Sequence, residues 1–145
     1  MVENKEKDRI IYQGGFTDRK TEKFRQVDEG IKSLLDFGVS EKWVEPLETA
    51  NHEKAHIAAH EPGRKSRIIT RVLVGRRGIE GWSIEHDIDE DEKAVMPGKE
   101  IIKAALAPAF IRGRKVAPLS SIDIISAVRG GVLLGMDLMG VKRDE

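Results

Sequence analysis

The sequence contains no cysteine. That excludes a disulfide scaffold, a thiolate zinc site and a cysteine nucleophile. Aromatic residues make up only 5%, too few to suggest a platform on which nucleic-acid bases stack. Net charge is missing as well, because 25 Lys and Arg offset 25 Asp and Glu. This argues against a globally basic nucleic-acid binder and leaves only local patches to consider. The longest apolar stretch, Ile122 to Val141, is interrupted by Asp123, Arg129 and Asp137. Each would be expensive in hydrocarbon, so the stretch reads as a core element and no membrane partner is expected. Met1 to Arg9 lacks the apolar centre of a secretory signal, which makes the cytoplasm the expected compartment. Neither a Walker nor a Rossmann glycine pattern occurs.

What is present fits a globular chain of 145 residues, 39% hydrophobic and 34% charged, a size that favours one domain with its own core. Residues 1–9 read as a charged flexible tail and 10–145 as a single α+β domain. Ile10-Ile11-Tyr12 suits a short strand before Gly14-Gly15. A helix follows, with Thr17 or Asp18 as N-cap, apolar residues at Phe24, Val27, Ile31, Leu34 and Leu35, and Gly38 at the C-cap. Trp43 and Val44 precede Pro46, which suits a first helical turn, and a second helix is predicted from Leu47 to His60, stopped by Pro62-Gly63. Residues 65–88 read as a β-hairpin, with Arg67–Val74 and Ile79–Ile88 as arms and Gly75-Arg76-Arg77-Gly78 as the turn. Pro97-Gly98 opens a third helix, Lys99 to about Ala107, ended by Pro108. Ser120 or Ser121, with Asp123 in the first turn, caps a last segment. Ile125, Val128, Val132, Met136 and Met139 give it helical spacing. Gly130, Gly131 and Gly135 each weaken a helix by about 1 kcal/mol, so a buried strand over 132–138 is the alternative. The expected fold is an antiparallel, hairpin-based sheet packed by three to four helices.

Three of the four histidines fall within nine residues: His52, His56 and His60. On a helix, positions four apart share a face and can share a metal. His52-Glu53-Lys54-Ala55-His56 matches the HExxH pattern and resembles the signature of zinc metallopeptidases. The resemblance implies His52 and His56 as ligands and Glu53 as the base that takes a proton from water. Zinc needs a third protein ligand and an open position. His60 is the candidate for that ligand, and His86 on the hairpin is a further one. Helical geometry places Leu47, Ala50, Ile57 and Ala58 on the opposite side, so the histidines are expected to face solvent, another segment or a second subunit.

Two charge blocks dominate the hairpin. Arg64, Lys65, Arg67, Arg71, Arg76 and Arg77 are six cations without an intervening acid, and residues 85–92 carry six acids. With Arg76-Arg77 at the tip, Arg71 falls opposite Trp82, Arg67 opposite His86 and Lys65 opposite Ile88, so the blocks would pair across the ladder. Arg76 and Arg77, and the second basic loop of Arg112, Arg114 and Lys115, remain as candidates for binding an anion or nucleic-acid phosphates. Asp87, Asp89 and Asp91 are spaced like a calcium loop but lack its glycine and its final glutamate, and read as a solvated acidic loop.

The reading these features favour is a non-enzymatic, homo-oligomeric binding domain. It would hold a divalent transition metal such as zinc at His52, His56 and His60, an anion at the basic loops, or both. The alternative is a zinc-dependent hydrolase with Glu53 as catalytic base. A third is an RNA- or DNA-binding module acting through the hairpin tip.

Overall fold

A computed structural model describes residues 7–39 and 46–143 of the chain. Strand β1 (Lys7–Gln13) leads into helix α1 (Lys20–Phe37). Helix α2 (Pro46–Ala59) is followed by strands β2 (Ser66–Gly75) and β3 (Gly78–Ile88). Three further helices are α3 (Glu90–Val95), α4 (Gly98–Leu106) and α5 (Ser121–Met139), with a 3-10 turn at Ala107–Phe110 after α4. The strands form one antiparallel sheet in the order β1-β2-β3. The domain is therefore α+β, as expected, with five α-helices among the described residues.

β1 starts at Lys7, so the charged start is not all tail. Lys7, Asp8 and Arg9 pair with Val74, Leu73 and Val72 of β2, and residues 1–6 lie outside the described residues, as do Trp43 and Val44. α1 ends at Gly38, whose φ of 111° needs the freedom of glycine. Its N-cap is Arg19 rather than Thr17 or Asp18. Thr17 is instead drawn into a bridge with Ser66, and its hydroxyl accepts a hydrogen bond from the Arg19 N–H. The predicted acidic loop contains a short helix, α3, capped by Asp89 through the Asp91 N–H.

The hairpin turns at Arg76-Arg77, but its register differs from expectation by one residue over most of its length. Val74 pairs with Ile79, whereas Leu73 pairs with Gly81, so Glu80 forms a bulge. Beyond it Arg71 lies opposite Ser83 and Arg67 opposite Asp87. Arg71 therefore does not stack on Trp82. It pairs with Glu85 at 2.5 Å and Asp8 at 3.5 Å, and Arg67 pairs with Asp87 at 3.3 Å while lying over the Phe16 ring at 4.3 Å. The two charge blocks are joined by three ion pairs, Arg64–Glu92, Arg67–Asp87 and Arg71–Glu85.

The core forms where α1 crosses the sheet. Val27, Ile31 and Leu34 pack on Ile68, Val72 and Ile84, joined by Ala50 and Ile57 of α2. Leu34, Ile57 and Ile68 are fully buried, each contributing about 2 kcal/mol by removal from water. α2 is then covered on its other side by α4, the 3-10 turn and the segment before α5. α5 stacks on α4 with the backbones in near contact. A Cβ at Gly130 would lie 3.0 Å from the Gly98 carbonyl oxygen, so only glycine permits this crossing. The last segment is helix throughout, which excludes the strand alternative.

Candidate metal centre

The histidine stripe does not face solvent. His52, His56 and His60 are each less than a tenth exposed, whereas Leu47, expected on the core side, is 70% exposed. The reason is that α2 lies between two packed groups. Ala50 and Ile57 meet α1 and the sheet, while the histidines meet α4 and the chain entering α5.

The two rings that match the HExxH spacing are fixed from behind. His52 Nδ1 lies 2.8 Å from the Ala117 carbonyl oxygen, and His56 Nδ1 lies 2.7 Å from that of Ala104. A carbonyl can only accept, so each Nδ1 carries its hydrogen and donates it. In the neutral rings each Nε2 then presents a lone pair. Those two Nε2 atoms face each other at 3.0 Å, with the rings edge to face. Burial holds His56 below its ordinary value, partly offset by its Ala104 contact and Asp123, which favours the neutral, metal-binding form.

The third group is Asp123. Its Oδ2 lies 3.1 Å from His52 Nε2 and its Oδ1 lies 3.2 Å from His56 Nε2. A capping box sets its position: the Ser120 N–H donates to Oδ2 at 2.9 Å, and the Ser120 hydroxyl accepts from the Asp123 N–H. His52, His56 and Asp123 thus bring one ligand atom each to within 4.8 Å of one another. Three acceptors converge with no hydrogen of their own between them. One proton can bridge one pair, but a divalent cation satisfies all three. Ligands about 2.0–2.1 Å from zinc sit roughly 3 Å apart, the spacing found here.

Glu53 adjoins His52 in the chain and contributes none of the converging atoms. It is buried, and its carboxyl is pushed up to about 8 by burial first and then by the charges of Asp123 and Glu85. A carboxyl that is buried and raised in this way is a frequent mark of a functional position.

His60, predicted as third ligand, is placed elsewhere. One more turn carries it about 6 Å along the helix, where its Nδ1 donates to Glu100 Oε2 at 2.8 Å. Glu100 also accepts from Arg64 Nε and Nη2 and from the Glu61 N–H. Burial works to raise the Glu100 carboxyl, but these donors together hold it below its ordinary value. His86 packs edge to face on His60 at 5.6 Å, and its Nε2 contacts the Ser66 hydroxyl at 2.6 Å. The histidines therefore fall into two ring pairs, His52–His56 and His60–His86, and only the first pair contributes converging acceptor atoms.

Sequence reasoning missed Asp123 as a member of the cluster because a carboxylate in a first helical turn is ordinary capping chemistry. The Ala104 and Ala117 carbonyls that orient the rings carry no sequence signal at all. The basic residues fall in two places. Arg76 and Arg77 are exposed at the hairpin tip, and Arg112, Arg114 and Lys115 are exposed in the connection before α5. Arg114, Lys115 and Gly113 line one wall of a cleft of about 520 Å³, with Leu47, Glu48 and Asn51 on the other. Asn51 Nδ2 donates to the Lys115 carbonyl oxygen, and the Ala117 N–H to that of Glu48, which fastens this connection to the start of α2. No helix among the described residues is long and apolar enough to cross a membrane. No known protein family, curated protein or solved structure matches the chain.

Proposed function

We propose that the protein is a metal-dependent hydrolase whose cation is held by His52, His56 and Asp123 and whose proton acceptor is Glu53. The observation that carries this reading is the convergence of three acceptor atoms from α2 and α5 with no donor among them. Two histidines and one carboxylate are a donor set suited to zinc, iron or a similar first-row ion, and three protein ligands leave coordination open for chemistry.

A divalent cation here would polarise a carbonyl or phosphoryl oxygen and make water more acidic. Glu53, next to His52 on α2, would take the proton from the attacking water as its oxygen bonds to the electrophilic centre. The same proton then passes to the leaving group as the scissile bond breaks. The high value that burial gives Glu53 belongs to the metal-free protein, since a nearby dication favours the carboxylate. His52 and His56 keep their orientation through Ala117 and Ala104, the outer contacts that fix imidazole ligands in such sites. Arg114 and Lys115, which precede Ala117, the residue that accepts from His52, by three and two positions, would favour an anionic ligand in their cleft, and Arg76 and Arg77 remain a separate candidate for phosphates. Both are tested by the salt dependence of binding to RNA, DNA and polyphosphate.

The test begins with metal content of untagged protein. Stoichiometric zinc, iron or another first-row metal in the wild type, lost in Asp123→Ala, is the expected result. Hydrolysis of peptide and ester panels should then be lost in Glu53→Gln with metal retained. Full metal and undiminished turnover in Glu53→Gln would rule out Glu53 as the base. Tight metal binding with no turnover in any variant would leave a purely structural site tying α5 to α2.

A further inference from the structure

We infer that the outer face of α5 is a self-association surface, on which a second copy of this chain lays its own α5 about a two-fold axis. The inference is independent of the metal reading, because it rests on residues that point away from Asp123.

α5 has two apolar sides. One, centred on Gly130, is seated on Gly98 and Ile101 of α4. The other comprises Ile125, Val128, Val132 and Met139, which are 59–80% exposed. With Gly135 included, these positions are spaced 3, 4, 3 and 4. At about 100° per residue they centre opposite Gly130. A 3-4 repeat is the pattern that meshes with another helix, because it keeps one seam facing the partner along the helix length.

The glycines give a second, separate reason. Gly131 and Gly135 weaken the helix relative to alanine, yet a Cβ at either would meet nothing within 4 Å. Nothing inside the subunit requires glycine there, in contrast to Gly98 and Gly130. Gly135 lies in the exposed seam and Gly131 on its border, where they would let a second helix approach closely.

Charge and area identify the occupant. The helix carries Asp123, Arg129 and Asp137 and no lysine. Asp123 is turned to His52 and His56, and Asp137 pairs with Arg143 at 2.9 Å. The helix lacks the cationic fringe of a helix that lies on a membrane. An uncharged seam meets its own copy without like-charge repulsion, as a two-fold interface requires. The seam residues together with the flanking Ile122, Ile124 and Leu138 expose roughly 900 Å² per copy, a little over half of it in the seam itself, so a partner that also covers the flanks reaches the ~800 Å² per partner of a stable protein interface.

Sedimentation equilibrium of the full chain over a concentration series is the test. The expected result is a dimer whose dissociation constant weakens by about 100-fold or more in Val132→Lys. Circular dichroism and metal content should be unchanged in that variant. Should Val132→Lys not fold, Gly135→Ala serves in its place, with weaker dimerisation but a melting temperature at low concentration no lower than the wild type's. A monomer at every concentration, or a dimer unaffected by Val132→Lys and Gly135→Ala, would overturn the inference. So would partition of a monomeric wild type into phosphatidylcholine vesicles.

Discussion

Two buried histidine–carboxylate groups lie one helical turn apart on α2, and they differ in how their hydrogens are allotted. At His60 the carboxylate of Glu100 has donors on every side: Arg64, the His60 ring and the Glu61 N–H. Every lone pair finds a hydrogen, and the group is complete as it stands. At His52 and His56 the ring hydrogens are already committed to Ala117 and Ala104. What remains facing Asp123 is two more acceptors. The first group is an internal salt bridge that holds α4 to the end of α2. The second leaves three converging acceptors that a cation would complete. The same residue types at the same spacing thus give two chemistries, and the carbonyls behind the rings make the difference.

The largest effect should come from the incomplete group. His56→Ala removes one of three donors and should lower affinity for zinc or cobalt by more than about 100-fold by isothermal titration, since even outer contacts of such sites contribute 10–100-fold. His60→Ala should leave that affinity unchanged. Loss of metal in both variants alike would erase the distinction between the two groups.

Stability should respond in the opposite sense. Glu100→Gln leaves Arg64 without its buried counterion and should destabilise the chelator-treated protein by about 3 kcal/mol in urea unfolding. Asp123→Asn should not, because the amide oxygen can keep the Ser120 N–H while the amide nitrogen donates to His56 Nε2. If Asp123→Asn proved as damaging as Glu100→Gln, the acceptor accounting at the metal centre would be wrong.

The pH response sharpens the comparison further. Burial is the main cause that holds His60 and His86 below their ordinary value, and His86 is held there also by the charges of His60, Lys23 and His56. The unfolded chain takes up protons below about pH 6.5 that the folded chain refuses. Stability is therefore full above that pH and falls as pH drops through it toward the folded values. Glu53, raised to about 8, acts oppositely between its ordinary 4.5 and 8, so the measurement belongs in a Glu53→Gln background. Metal-free protein of that background should lose stability between pH 7.5 and 5.5, most of it through His86, with His56 adding in the same direction. His86→Phe should flatten the profile. An upward slope toward acid would mean that the folded rings are charged.

The smallest effect is expected at the cap. Ser120→Ala removes the hydroxyl that accepts the Asp123 N–H and should destabilise by about 1 kcal/mol. It should also weaken metal binding by about tenfold, because Asp123 loses part of its support.

Much of the fold was legible because its signals are local. Gly38, Pro108 and the Ser120–Asp123 box mark helix ends through backbone and capping chemistry that acts within a few residues. The hairpin was legible from its β-branched arms. Its register was not, because a single bulged residue at Glu80 has no side-chain signature and displaces every later pair by one. Which of the three alternatives covers the histidines of α2, namely another segment, was not legible for a related reason. Ala50 and Ile57 do mark a buried side, but Leu47 and Ala58 are exposed while the polar side is covered, and periodicity cannot report a second cover made of α4 and residues 115–117.

The sequence by itself determined the α+β class, the positions of most helices and the placing of His52 and His56 one turn apart with Glu53 between them. These follow from rules that act over three or four residues. Only the tertiary structure decided that Asp123, some seventy residues away, completes their group and that His60 belongs with Glu100. A metal centre is a convergence of atoms from separate elements, and the packing of α4 and α5 over α2 sets which atoms converge.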